Sequence, residues 1–179
     1  MIKKKYHGLL LILAFIICYI ISIKVLLASD WPKFVGAMLV FIIPVAGKEA
    51  IIPLSIYLGI NVPIVFTTII LIDVITGFIV VYNWWVVDWL IQKSSFANKY
   101  YIKVQKRAEK LSSKKRFVLY GILLLIMMIP IYGGGAGTVA AIGKILNLSN
   151  KKTISIIFIG TFTAMSIITI VTLGIISLI

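Results

Sequence analysis

The ionisable residues set within apolar sequence are few, and they define the chemistry to be explained. Lys48 and Glu49 are adjacent in the stretch Ile43 to Leu54, bracketed by Pro44, Gly47 and Pro53. Asp73 stands alone in the next apolar run. A later stretch, Ile129 to Lys144, carries Pro130, then Gly133, Gly134, Gly135 and Gly137, with Thr138 and Lys144 behind them. Charge in hydrocarbon is costly, so it points to ion or substrate handling rather than filler. Proline and glycine beside such groups break a helix, and broken backbone at membrane depth persists only inside protein or along a wet cavity. Two interrupted apolar segments in corresponding places are the pattern of a transporter's binding site.

The residue types suggest roles. Glu49 and Asp73 are suited to carry a coupling proton. Lys48 and the free amides of a half-helix beginning near Thr138 are suited to hold an anionic group. Each feature also has a structural reading. Lys48 and Glu49 would make an internal ion pair at a hairpin tip, the glycines would pack closely against a neighbouring helix, and Lys144 would extend toward the membrane surface. Gly133 to Lys144 is not a phosphate loop of the Walker type. Five residues separate Gly137 from Gly143 where four are needed, and Ile145 follows the lysine. Gly135-x-Gly137-x-x-Ala140 has dinucleotide-binding spacing but no strand and crossover around it. With one histidine (His7), one cysteine (Cys18) and no nucleophile–base constellation, no catalytic residue, metal site or cofactor is expected, and hence no enzyme.

These groups need elements to position them, and composition says which kind. Hydrophobic residues make up 61% of the 179, with a mean hydropathy of +1.14, so the chain is built for lipid. The net charge of +13 clusters at the ends of apolar runs, as membrane topology requires, and argues against nucleic acid as a partner. Lys3, Lys4 and Lys5 precede a spanning run from Leu9 to Ala28. It reads as a retained anchor, since Leu26 stands where a cleavage site wants a small residue. A polar turn follows at Ser29 to Lys33. The halves Phe34 to Ala46 and Ala50 to Ile60 are each too short to span, at about 20 and 16 Å of helix against roughly 30 Å of hydrocarbon.

A long helix is expected from Pro63 to about Ile91. It would place Asp73 near the midplane, with Thr76 and Gly77 on its face and Tyr82, Trp84, Trp85, Asp88 and Trp89 in an aromatic belt at the exit. Residues Ser94 to Arg116 suit a basic amphipathic helix in the interface. Phe96, Tyr100, Val104, Ala108 and Leu111 would share its apolar face, and Lys99, Lys103, Lys106 and Lys110 a basic one. Phe117 to Tyr132 and Thr138 to Leu148 repeat the broken pattern before a last spanning helix, Thr153 to Ile179. There Gly160, Ala164 and the hydroxyls of Thr161, Thr163, Ser166, Thr169 and Thr172 suit helix packing.

If both broken stretches dip into the membrane and return, fourteen of the 18 basic residues lie in the cytoplasm. The expected fold is therefore an all-α integral membrane protein of three spanning helices plus two re-entrant helical hairpins in an inverted repeat, with an amphipathic interfacial helix. It is expected as one membrane domain over 1–179. Its parts are an N-terminal anchor helix (1–33), a first hairpin plus helix (34–92), a basic interfacial helix (93–116) and a second hairpin plus helix (117–179). The N-terminus would be cytoplasmic and the C-terminus outside the cell membrane. Residues 94–116 would meet anionic lipid headgroups, and a homodimer stays open.

Gly47 to Gly59, reading Gly-Lys-Glu-Ala-Ile-Ile-Pro-Leu-Ser-Ile-Tyr-Leu-Gly, resembles a hairpin of the small multidrug export proteins. Ile129-Pro130, with Gly-Ala-Gly-Thr-Val-Ala-Ala-Ile-Gly at Gly135 to Gly143, resembles their second, glycine-rich one. The resemblance covers about residues 34–179. In architecture these proteins are similar to the DedA/SNARE-associated (VTT) superfamily, which includes lipid scramblases and polyprenyl-phosphate flippases. The resemblance implies a membrane transporter or lipid flippase, proton- or ion-coupled, that moves an anionic lipid such as polyprenyl phosphate or a small amphiphile. The alternative is a non-transporting membrane scaffold that binds anionic lipid or a protein partner.

Overall fold

The computed structural model of the chain describes residues 2–42, 50–109, 113–128 and 135–176. Pro44, Gly47, Lys48, Glu49, Lys110, Leu111, Pro130, Gly133 and Gly134 lie outside the described residues. Regular structure among the described residues is helical throughout: α1 (Ile2–Leu27), α2 (Trp31–Ile42), α3 (Ile51–Tyr57), α4 (Val62–Tyr82), α5 (Trp85–Lys93), α6 (Ser95–Glu109), α7 (Ser113–Met128), α8 (Ala136–Ile145) and α9 (Asn150–Ile176). Three helical stretches are long and apolar enough to cross a membrane: Leu13–Val40, Val62–Tyr82 and Asn150–Ile175. The protein is an all-α, multi-pass membrane protein. α3 and α8, at 7 and 10 residues, rise only about 10 and 15 Å and are too short to do so.

Several boundaries differ from those the sequence suggests. The polar turn expected at Ser29 to Lys33 is a 3-10 turn, Ala28–Asp30, after which α2 begins at Trp31. Pro32 sits in the first turn, where a missing amide costs nothing, and Lys33 Nζ meets Asp30 Oδ1 at 3.0 Å. Pro53, expected at a helix break, lies instead in the first turn of α3 for the same reason. The helix expected to run to Ile91 stops at Tyr82. There the Asn83 side chain donates to the Ile79 carbonyl at 3.0 Å, a local bond that competes with helix continuation. Lys115, expected in the interfacial helix, belongs with Ser113 to the first turn of α7.

By its internal contacts the chain divides into two units, residues 1–66 and 67–179. In the first, α2 packs on α3, with Phe34, Ala37, Ile51 and Ile52 buried. In the second, α9 packs on α7 and α8. Its core joins Leu123 and Met127 of α7, Val139 and Ala140 of α8, Ile157 of α9 and Val81 of α4. Lipid offers apolar side chains no drive to associate, so this packing depends on close approach. Gly160 supplies it: a Cβ there would lie 2.5 Å from Cβ of Met127.

Both short helices end alike. At the end of α3 the Ile60 amide donates to the Ser55 carbonyl at 2.9 Å, with Gly59 at φ +69°. At the end of α8 the Leu148 amide donates to the Gly143 carbonyl at 2.8 Å, with Asn147 at φ 53°. Each is a Schellman turn closed by a left-handed residue, and each leads within three residues into a long apolar helix.

Gly160→Ala is expected to lower stability by about 1–3 kcal/mol through overpacking, although Ala is the better helix former. Gly121→Ala, on open space, leaves the unfolding midpoint unchanged or raises it. Thermal unfolding of the two variants in one detergent checks the contrast.

Candidate functional site

The site is built where α4 crosses α9. Asp73 is 4% exposed and stands eleven residues into α4, about 16 Å from its start and so near the middle of an apolar layer. Its Oδ2 accepts a 2.6 Å hydrogen bond from the hydroxyl of the fully buried Thr161. One turn on, Gly77 leaves room for Ile157 of α9, whose Cδ1 would lie 2.6 Å from a Cβ at that position. This close approach lets the short aspartate side chain reach the neighbouring helix. The two contacts also fix direction. Moving four residues forward on α4, from Asp73 to Gly77, moves four backward on α9, from Thr161 to Ile157, so the helices run antiparallel.

The second glycine-rich stretch reaches the same place. Gly135 is extended (φ −73°, ψ 172°), and its carbonyl accepts from the amides of Thr138 at 3.0 Å and Val139 at 3.2 Å. The amides of Ala136 and Gly137 come before the first intrahelical bonds, at the positive end of the α8 dipole. A Cβ on Gly137 would lie 3.7 Å from Cγ2 of Thr76, which places this helix start beside α4, one turn from Asp73. The structure thus brings together Asp73, Thr76, Gly135, Gly137 and Thr161. Thr138, in the first turn of α8, is exposed.

Lys144 is not part of this group. It lies in the last turn of α8, with Nζ 3.4 Å from Asn150 Oδ1, where a cation complements the negative helix end. Tyr120 braces the same end, accepting from the Ser149 amide at 3.2 Å, with Lys152 Nζ 5.5 Å from its ring centre. Among the described residues no three His, Cys, Asp or Glu side chains gather as a metal ion would require.

Thr161 is the residue that sequence reasoning placed only among five hydroxyls. The other four, Thr163, Ser166, Thr169 and Thr172, each donate to the carbonyl four residues back in their own helix. Thr161 alone reaches across. A signal for it does exist, because Asp73 and Thr161 are 88 residues apart, as are the left-handed residues Gly59 and Asn147 of the two Schellman turns. The pair thus occupies equivalent positions in the two long helices. Ser55 was also missed: its buried hydroxyl on α3 has no hydrogen-bond partner among the described residues.

Beyond the end of α4, a second polar cluster joins α5 to α6. Trp84 Nε1 and Gln105 Nε2 donate to the Tyr101 oxygen at 3.0 and 2.8 Å, and its hydroxyl donates to Asp88 Oδ1 at 2.9 Å. Burial, and then Asp88, push the Tyr101 pKa above its usual value against the opposing Trp84 bond. α6 therefore meets α5 through Tyr101 and Gln105, outside the apolar stripe that its sequence shows, while Lys99, Lys103 and Lys106 are exposed.

A family model described as "Putative small multi-drug export protein" matches residues 48–167. That match covers more than half of the sequence and includes Asp73, the α8 glycines and Thr161. The chain belongs to this family. A search of curated proteins and a search of solved structures return no match. Membership in this small multidrug export family, together with the apolar helices, agrees with a multi-pass membrane protein of a transport family.

If the Asp73–Thr161 bond ties α4 to α9, Thr161→Ala should cost about 1–2 kcal/mol and Thr161→Ser much less. Denaturant titration of the purified protein in one detergent reads the difference. Equal losses in the two variants would show that the methyl group, not the hydroxyl, matters.

Proposed function

We propose that the chain moves an amphiphile with an anionic headgroup, such as a polyprenyl phosphate, across the membrane alongside a proton, without catalysing a reaction. The supporting observation is the buried Asp73–Thr161 pair at the crossing of antiparallel helices, beside the start of α8. The amides and dipole of a helix start favour an anion. A carboxylate one turn away favours its absence, unless that carboxylate holds a proton. An anion and an ionised Asp73 therefore compete, which is the coupling a proton-linked carrier needs.

In this reading the two short helices belong to re-entrant hairpins, with Lys48 and Glu49 supplying further charge from the first. The lysines of α6 lie against anionic headgroups, the N-terminus is cytoplasmic and the C-terminus is outside. The second reading is a scaffold, in which the Asp73–Thr161 bond merely ties helices together. It is favoured by the fact that the same bond suffices for that role.

The test is flux in reconstituted vesicles, with polyprenyl phosphate, a phospholipid and a cationic dye as separate cargoes. Asp73→Asn and Glu49→Gln are expected to lower flux of the transported cargo at least tenfold and abolish its dependence on a pH gradient, with the unfolding midpoint within a few degrees of the parent. Unchanged flux in both variants, or no flux of any cargo in the parent, would leave the scaffold.

A further inference from the structure

The polar cluster between α5 and α6 borders a groove of about 540 Å³ lined by Asp88, Gln92, Asn98, Tyr101, Ile102 and Gln105, within the size range of small-molecule sites. Its charge is unusual for this chain. Asp88 is one of five acidic residues against 18 basic ones, yet no cation pairs with it among the described residues. Asp30, by contrast, pairs with Lys33 at 3.0 Å. Lys93, a helical turn and a residue away, rests its Nζ 3.7 Å from the Trp89 ring centre instead. Asp88 has the Tyr101 hydroxyl on Oδ1, and among the described residues no side chain bonds its Oδ2, the oxygen offered to a ligand.

We propose that this groove binds a primary ammonium group carried by an amphiphile at the membrane surface. An ammonium brings three N–H donors and needs acceptors. Asp88 supplies one with full charge, and the side-chain carbonyls of Gln92, Asn98 and Gln105 supply neutral ones. Depth fits as well. α4 reaches its end at Tyr82 after 21 residues, about the thickness of the hydrocarbon layer. Trp85 and Trp89 on α5 are exposed, and exposed tryptophans mark the headgroup level. The groove therefore opens where lipid headgroups lie, and Ile102 gives it one apolar wall. A quaternary ammonium has no N–H to donate, so the site discriminates against choline headgroups. This site is separate from the α4–α9 crossing and does not depend on transport.

Two sources carry this chemistry, the ethanolamine headgroup of a phospholipid and a free long-chain amine. The full chain is reconstituted in phosphatidylcholine, and quenching of tryptophan fluorescence is compared for chain-brominated phosphatidylethanolamine and phosphatidylcholine at equal mole fraction. Dodecylamine is then titrated as competitor. The expected result is stronger quenching by the ethanolamine lipid, displaced by dodecylamine. Asp88→Asn, which keeps an oxygen for Tyr101, should weaken both effects about tenfold. Asn98→Leu, which leaves the Tyr101 bonds intact, should weaken them several-fold. Asp88-dependent binding of dodecylamine without any lipid preference would support the site and name the free amine as its source. Equal quenching by both lipids with no Asp88-dependent dodecylamine binding would overturn the proposal, as would binding unchanged in both variants.

Discussion

A carboxylate held near the middle of an apolar helix constrains what can surround it. In hydrocarbon it must be hydrogen-bonded, screened by protein or neutralised, and Asp73 is supplied with a hydroxyl from a neighbouring helix. That requirement brings α9 against α4, and the approach works only because Gly77 leaves space for Ile157. The same α9 is the helix on which α7 and α8 pack, with Gly160 against Met127. The position of one aspartate is therefore linked to the packing of most of residues 67–179.

Much of this was legible in the sequence because it follows from periodicity and cost. Long apolar runs, a lone intramembrane Asp73 and the glycine-rich break before α8 need no tertiary information to stand out. The small-residue pair Gly160 and Ala164 was readable too, because close packing in lipid demands small side chains. Hidden were features decided by competition between local bonds. Asn83 ends α4 nine residues early by turning its amide back onto Ile79, and Trp31 begins α2 inside what looked like a polar turn. Residue chemistry does not separate Thr161 from Thr163 or Ser166, since all three are hydroxyls; what singles it out is its 88-residue offset from Asp73, the same as that between Gly59 and Asn147. For Lys144 the sequence offered two readings, a place in the glycine site or extension toward the membrane surface, and the length of α8 carries it to the end away from Gly135 and Gly137.

The basic helix shows a different limit. Its sequence pattern says which face is apolar but not which face meets protein. The Tyr101 hydroxyl, bonded to Trp84, Asp88 and Gln105, gives α6 a polar attachment to α5 and leaves Lys99, Lys103 and Lys106 exposed. Attachment to α5 and exposed positive charge are thus carried by different side chains of one helix.

Equivalent placement of Asp73 and Thr161 after two like turns, on helices that run antiparallel, means that the starts of α4 and α9 face opposite sides of the membrane. Single cysteines at Asn61 and Ser149, in a Cys18→Ala background, probed from each side with an impermeant thiol reagent, test this most directly. The account predicts labelling of Asn61→Cys from outside only and of Ser149→Cys from the cytoplasm only. Labelling of both from the same face would contradict the antiparallel crossing and, with it, the buried Asp73–Thr161 site.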